Sequence, residues 1–307
     1  MANFPTLAVT GGTGFVGAHL IRMARDAGHP VRALTRKWRP FEDGVEWVEG
    51  ALDRAESLRR LAEGSDAVIH VAGAINAADR AGFEAVNVGG TAAMIDAARA
   101  AGVRRFLHIS SLSAREPELS DYGWSKARSE RIVAASGLDW TIIRPPAVYG
   151  PGDRETLELF RMARRGLVAL PPAGRFSVIH ADDLCRLIVA TLDDDDSRGA
   201  TYEPDDGTPG GWAHRDFAQA LGGAFGRART RTVSAPRPAM LVAAGLDRLF
   251  RGRKAKLTRD RARYYSHPDW AVGPDKRPPA RLWRPEIETA AGLKATADWY
   301  LSEGWLR

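Results

Sequence analysis

Cysteine is nearly absent: the 307-residue chain holds one, Cys185. That excludes a disulfide scaffold and any cysteine-based zinc or iron–sulfur site, and it fits a reducing compartment. No apolar run approaches the ~20 residues needed to cross a bilayer. The start, Met1-Ala2-Asn3-Phe4-Pro5, lacks the basic segment of a cleavable leader. A cytoplasmic location is therefore expected. The seven histidines, at 19, 29, 70, 108, 180, 214 and 267, show no ligand spacing, so no metal site is expected. Internal repeats and low-complexity tracts are missing too. With 44% hydrophobic and 27% charged residues, the chain is too apolar to be disordered, and its length suits one large or two modest domains.

What is present is unevenly distributed. Between Gly226 and Arg307 lie 18 Lys/Arg against 8 Asp/Glu, while the rest of the chain is slightly acidic. Such a cationic quarter can meet phosphate, lipid headgroups or nucleic acid, or simply be solvated. It lacks the interleaved aromatic and basic motifs of a nucleic-acid module, so no nucleic-acid partner is expected.

The first half alternates short apolar runs with helical stretches. Thr6–Thr10, Val31–Leu34, Ala67–Val71, Phe106–Ile109 and Trp140–Ile143 read as buried strands. Phe15–Ala27, Thr91–Ala101 and Lys126–Ser136 read as helices. Strands separated by helices of this size imply βαβ units, and hence an α/β fold with a doubly wound parallel sheet. After Pro145, proline and glycine cluster and the alternation is lost. We expect residues 1–165 to form a Rossmann-type dinucleotide-binding domain. Residues 166–307 are expected to form a smaller substrate region with segments returning to the first. Asp193–Asp196 reads as a solvated acidic loop.

The first strand runs into Thr10-Gly11-Gly12-Thr13-Gly14-Phe15-Val16-Gly17. Glycines at 11, 14 and 17 permit a tight turn, backbone approach to a pyrophosphate, and close helix–strand packing. The helix N-terminus then offers free N–H donors to the phosphates. An NAD site usually ends its second strand with a carboxylate for the ribose 2′-hydroxyl. Here Leu34-Thr35-Arg36-Lys37 holds no acid. Arg36 and Lys37 suit a 2′-phosphate, which favours NADP(H).

Tyr122-Gly123-Trp124-Ser125-Lys126 places a phenol and an ammonium one turn apart on a helix. A phenol with a pKa of ~10 is a poor acid at neutral pH; a fixed ammonium nearby makes it a better one. Ser111 stands eleven residues earlier, just past a strand end, where open α/β sheets bind ligands.

Taken together these segments resemble the extended short-chain dehydrogenase/reductases, the epimerase/dehydratase family. The likeness runs through Thr10–Gly17, His70-Val71-Ala72-Gly73, Asn87-Val88-Gly89-Gly90-Thr91, Ile109-Ser110-Ser111, Tyr122–Lys126, Arg144–Gly152 and His180-Ala181-Asp182-Asp183. It implies that Tyr122 donates or accepts the proton, that Lys126 tunes it and binds ribose, and that Ser111 hydrogen-bonds the reacting oxygen, with Ser113 as a rival for that role. By the same likeness Ala72 and Gly73 line the cofactor, and Pro145 to Val148 face the nicotinamide. The His180–Asp183 run is implied to brace the second domain. One departure stands out: the family's Gly-Asp-Leu run is Gly50-Ala51-Leu52 here, leaving the Leu52 backbone or Asp53 for the adenine edge.

The resemblance also ranks reactions. Dehydratases of the family need an acid–base pair beside the Ser/Thr position, and Ser111-Leu112-Ser113 supplies no carboxylate. Its epimerases usually retain NAD, against which Arg36 argues. Reduction of a ketone by NADPH needs only Ser111, Tyr122 and Lys126 beside the cofactor. The alternatives are a nucleotide-sugar epimerase or reductase, and a non-catalytic NADP(H)-sensing protein. Ala239–Phe250 is apolar and leads into Arg251, Arg253, Lys254 and Lys256. A helix there suits either core packing or peripheral membrane contact through 237–256. The membrane reading implies an apolar ketone. The pattern also looks like bacterial reductases of a keto-sphingolipid (oxidised ceramide). Trp270, Trp283, Trp299 and Trp305 are expected to pack a core rather than line a pocket.

Overall fold

The computed structural model describes residues 4–242, 245 and 259–306. Its first strand, β1 (Leu7–Thr10), is buried along its whole length, as a mostly apolar strand covered on both faces is. It is followed by α1 (Phe15–Asp26), β2 (Val31–Thr35), β3 (Val45–Glu49), α2 (Ala55–Ala62) and β4 (Ala67–His70). Next come α3 (Arg80–Phe83), a π-helical segment (Glu84–Gly89), α4 (Gly90–Ala100), β5 (Arg105–Ile109), α5 (Asp121–Ala134) and β6 (Asp139–Ile143).

The later elements are shorter. They are β7 (Ala147–Tyr149), α6 (Leu157–Arg165), β8 (Leu167–Leu170), β9 (Arg175–Phe176), β10 (Val178–His180), α7 (Ala181–Ala190) and β11 (Ala200–Tyr202). They continue through β12 (Trp212–Ala213), α8 (His214–Gly223), β13 (Arg231–Ser234), α9 (Arg259–Tyr265), β14 (Asp269–Trp270) and α10 (Thr289–Ser302).

Seven strands form one parallel sheet in the order β11-β6-β5-β4-β1-β2-β3. Parallel neighbours need long crossovers, which explains the helices between strands. From β1 the chain builds outward through β2 and β3, then returns to β4 and builds the other way. The order therefore reverses between β1 and β4, and ligands of open sheets bind outside the carboxyl ends of strands at such a point. One core cluster includes Ala8, Leu34, Leu58, Leu61, Val68, Met94, Phe106 and Ile142.

The structure differs from the sequence reading at several points, among them the edge strand β3, which was not among the strands read from sequence. The edge strand β11 has only three residues, too few for a hydrophobic pattern to reveal it. Asp193–Asp196 is not simply solvated: Asp194 and Asp196 pair with Arg281 at 2.8 and 2.6 Å. Ser197, just beyond, is buried and accepts from Arg105 Nη2 at 2.8 Å.

The chain divides into two units. One comprises residues 1–145, 184–203 and 278–283, and the other 146–183, 204–277 and 284–307. The division falls at Pro145 rather than at 165. The Pro145-Pro146 pair ends the strand alternation, and α6 buries Leu157, Phe160 and Ala163 in the core of the second unit. That core also holds Tyr149, Val168, Phe217, Leu221, Leu293 and Tyr300. Within it, Asp183 accepts the backbone N–H of Ile287 at 3.1 Å, a bracing contact made by the His180–Asp183 run. Trp270 and Trp283 are buried, whereas Trp299 and Trp305 pack at the margin of the second core. Most of the 237–256 segment lies outside the described residues.

Candidate active site

The glycine loop sits where β1 ends. Gly11 has φ +76°, and a Cβ there would stand 2.6 Å from the backbone N of Ala72, past the end of β4. A Cβ on Gly17 would stand 2.1 Å from Gly11 O. Only glycine permits either approach. The loop is thereby drawn against β4 while the start of α1 stays open. Its N-cap, Gly14, has no side-chain cap, and its first turn has no acid. Thr13 and Gly14 are exposed, Phe15 and Val16 half-buried. Uncapped N–H groups and a positive helix end suit the pyrophosphate of a dinucleotide.

Arg36 and Lys37 follow β2 directly and are exposed. Thr35 Oγ1 donates to Lys37 O at 2.7 Å and accepts from Lys37 N at 3.3 Å, which sets the turn. Leu52 is half-buried and Asp53 exposed. The backbone before them is tied down by Gly50 N donating to Thr35 O at 2.8 Å and Ala51 N to Ser57 Oγ at 3.2 Å.

Residues without an assigned role in the motifs hold the Ala72–Gly73 loop. Thr10 Oγ1 meets His70 Nδ1 at 2.8 Å and accepts from Ala72 N at 3.3 Å. The other ring nitrogen of His70 meets Thr91 Oγ1 at 3.1 Å. Burial, aided by the Lys126 charge, lowers the His70 pKa to about 3, so the ring is neutral. Asn87 clamps Ala74, accepting its N–H at 2.7 Å and donating to its carbonyl at 3.0 Å. The same amide donates to Ser125 Oγ at 2.9 Å, tying the loop to α5. Asn87 lies in the π-helical segment, an irregularity that often marks functional sites. The Asn-Val-Gly-Gly-Thr run was its only sequence signal.

The helix α5 carries Tyr122 and Lys126. Ser120 caps it by accepting Gly123 N at 3.0 Å. A Cβ on Gly123 would stand 2.7 Å from Ser113 O, so the glycine lets this turn press on the segment after β5. Lys126 is buried, and its Nζ donates to the Ile109 carbonyl, the last residue of β5, at 2.9 Å. Burial lowers its pKa from the ordinary 10.5 to about 8, with Glu130 opposing that shift. Gly73 sits beside this ammonium: a Cβ there would be 3.3 Å from Nζ. Tyr122 is half-buried, its ring centroid 5.9 Å from that of Phe83. Ser111 is half-buried and Ser113 fully buried. Both the hydroxyl and the N–H of Ser113 approach Ser111 Oγ, at 2.9 and 3.2 Å. Ser113 is thus the more buried of the two hydroxyls and donates to the other.

Pro145 is buried and accepts Leu112 N at 2.9 Å. Val148 lies on β7 in the second unit, paired with Ile179. Beneath α5, Arg144 grips Glu130 with Nε and Nη2 at 2.8 and 2.6 Å and Glu203 with Nη1 at 2.9 Å. Among the described residues no group of three or more His, Cys, Asp or Glu could hold a metal. No described helix is long and apolar enough to cross a membrane.

At the switch point the glycine loop lies against Ala72 and Gly73 stands beside the Lys126 ammonium, with Ser111 just past β5 and the half-buried Tyr122 one turn before Lys126 on α5. Comparison with known proteins shows the family. Residues 11–195 match the family model described as NAD(P)H-binding. A ceramide reductase of Caulobacter vibrioides is 37% identical over 98% of this chain and 96% of its own length. A sterol demethylase protein B of Methylococcus capsulatus is 38% identical over 48% of this chain and 53% of its own. The solved structure of MoeE5 in complex with UDP-glucose and NAD superposes with a TM-score of 0.76 at 22% identity, covering 97% of this chain and 99% of that one; at that identity it shows the fold alone. The chain belongs to the NAD(P)H-binding family of extended short-chain dehydrogenase/reductases, and it is an NAD(P)-dependent oxidoreductase.

Proposed function

We propose that the protein uses NADPH to reduce a ketone to a secondary alcohol on an apolar lipid, with an oxidised ceramide as the substrate class. The observation that supports this reading is the 37% identity, over nearly the full length, to a ceramide reductase. Partial similarity to a sterol demethylase component points the same way, to an apolar substrate. When bound, the reduced nicotinamide supplies hydride to the carbonyl carbon. Tyr122 gives its proton to the carbonyl oxygen, and the Lys126 ammonium makes that phenol acidic enough to do so. Ser111 donates a hydrogen bond to the same oxygen. Ser113 occupies the lone pairs of Ser111 Oγ, which directs the Ser111 proton outward.

A substrate panel followed by NADPH absorbance tests the reading. Long-chain keto-lipids are expected to be reduced with one NADPH consumed per ketone. Turnover confined to nucleotide sugars, without net NADPH consumption, would make the protein an epimerase instead. No turnover of any panel member, with NADPH still bound, would favour the sensing role.

The NADPH preference rests on Arg36 and Lys37 and on the lack of a strand-end acid. Charge-assisted hydrogen bonds contribute about 1.5–3 kcal/mol. Arg36→Ala is therefore expected to weaken NADPH roughly 10- to 100-fold while leaving NADH nearly unchanged, as read by fluorescence titration. Equal loss of both would remove Arg36 from the 2′-phosphate.

A pH profile follows from Lys126. Its ammonium is lost as pH rises through about 8, so kcat/KM is expected to fall above that pH. Stability moves oppositely. Between about 8 and the ordinary 10.5 the unfolded chain holds a proton that the folded chain has released, so this group's contribution to stability rises with pH. An activity profile flat to the top of that window would show that the ammonium is not used.

Contact with a lipid surface belongs to the same reading, and the loop after β2 supports it. Trp38 and Phe41 are 78% and 89% exposed beside Arg36, Lys37 and Arg39. Aromatics next to cations suit the boundary of an anionic bilayer. The chain is expected to float with phosphatidylglycerol vesicles, and Trp38→Ser with Phe41→Ser to abolish flotation. Equal flotation of that variant would exclude the loop.

A further inference from the structure

The second unit contains a feature the reductase chemistry does not use. Five guanidinium groups line an open cleft of about 860 Å³, a volume in the range of small-ligand sites. Arg161 and Arg165 are exposed and Arg164 half-buried on α6, whose apolar side enters the core. Arg154 precedes that helix, and Arg227 follows α8. The wall opposite is Gly304–Leu306, beyond α10.

Among the described residues, their partners leave most of this charge unanswered. Arg161 meets a carboxylate, Glu158, at 3.2 Å on an exposed surface. Arg227 donates to the carbonyl of Arg164, a neutral acceptor. Arg154 lies 4.9 Å from the ring of Trp305, which itself stacks on the buried Tyr300. Arg164 Nη1 is buried with no hydrogen-bond partner among the described residues, a costly state for a charged donor. Cations in the last turn of α6 are favoured by the helix dipole, which accounts for Arg164 and Arg165 as residue types. It does not account for Arg154 and Arg227 converging on them from other segments.

We propose that this cleft binds a multiply charged phosphate group, of the pyrophosphate or phosphomonoester kind. Guanidinium forks match phosphate oxygens in pairs, and several facing one cavity favour a polyanion over a single carboxylate. The concave shape selects a compact ligand, and Trp305 offers a flat apolar wall beside the charge. The residues belong to the unit that lacks Ser111, Tyr122 and Lys126, so the inference stands independently of the ketone-reductase reading.

The test is calorimetric titration of the full chain at saturating NADPH, which occupies the other phosphate-binding site. Inorganic pyrophosphate and the water-soluble dihexanoyl phosphatidic acid are the probes, at low ionic strength and again at high salt. Binding of one or both is expected, with affinity falling steeply as salt rises. Arg165→Glu, at an exposed position, and Arg164→Ala with Arg165→Ala are expected to weaken it at least tenfold while leaving ketone turnover unchanged. Tighter binding of pyrophosphate identifies a soluble polyphosphate source, and tighter binding of the phosphatidic acid a lipid headgroup. No binding of either probe, or binding equal in wild type and in a folded Arg165→Glu variant, would overturn the proposal.

Discussion

Tyr122→Phe is expected to lower kcat by roughly 10²- to 10⁴-fold, the usual contribution of a positioned general acid. The substitution removes one oxygen from a half-buried ring and leaves its packing against Phe83 in place. Folding and NADPH affinity should therefore stay close to wild type. That separation matters, because a variant losing cofactor affinity and turnover together would report damage to the site rather than loss of a proton donor. Ser111→Ala provides the comparison: loss of an oxyanion donor costs about 10²- to 10³-fold in kcat. If Tyr122→Phe kept more than about a tenth of wild-type kcat, the proton would have to come from elsewhere, far below the range for a general acid. Single-turnover reduction of a keto-lipid, followed by NADPH absorbance, makes the measurement free of product release.

Arg144→Met is expected to be the most damaging single change to stability. Its partners Glu130 and Glu203 have side chains only 8% and 5% exposed. Burial works against the Arg144 charge, yet the bonded carboxylates hold its pKa above the ordinary value. Removing the cation strands two buried carboxylates, for which about 3–5 kcal/mol is typical. At about 2–4 °C per kcal/mol for larger domains, the melting temperature of the first unit should fall by roughly 6–20 °C. An exposed pair such as Arg59–Glu56, with side chains 55% and 72% exposed, should by contrast change stability by no more than ~1 kcal/mol. Adding Glu130→Gln and Glu203→Gln to Arg144→Met should restore much of the loss, because no stranded carboxylate then remains. A thermal melt of the single variant matching wild type would mean that water reaches the carboxylates. Since Glu130 also opposes the lowering of the Lys126 pKa, the single variant should alter the pH dependence of turnover as well.

The parallel sheet was legible because its central strands are continuous apolar runs, each followed by a helix-length segment. The glycine loop was legible for a stricter reason: Gly11 and Gly17 approach other backbone so closely that no side chain fits. Tyr122 and Lys126 could be paired from spacing alone, as residues four apart on a helix share a face. The edge strand β11 could not be read, because three residues carry no period. Nor could the role of the Asp193–Asp196 run, whose charges are answered by Arg281 more than eighty residues later. The boundary at Pro145 escaped for a similar reason: α6 looks like one more crossover helix until its apolar face is seen in the second core.

Residues supporting the site were harder to find than those forming it. Asn87 was visible only within a motif, and its clamp on Ala74 and Ser125 depends on three chain segments meeting. Ser113 and Ser111 are equivalent in sequence, both small hydroxyls past a strand end. Burial separates them, because the 3₁₀ turn after β5 directs one inward and leaves the other half-exposed.

Composition and local pattern by themselves determined the fold class, the dinucleotide site and the phenol–ammonium pair, since each depends on backbone sterics or on spacing within one element. Tertiary structure alone decided which serine is the more exposed, how the Arg144 network answers its buried acids, and that five arginines from three segments share one cleft. Those outcomes depend on which surfaces lose water together, and burial is a property of the assembled chain that no local stretch encodes.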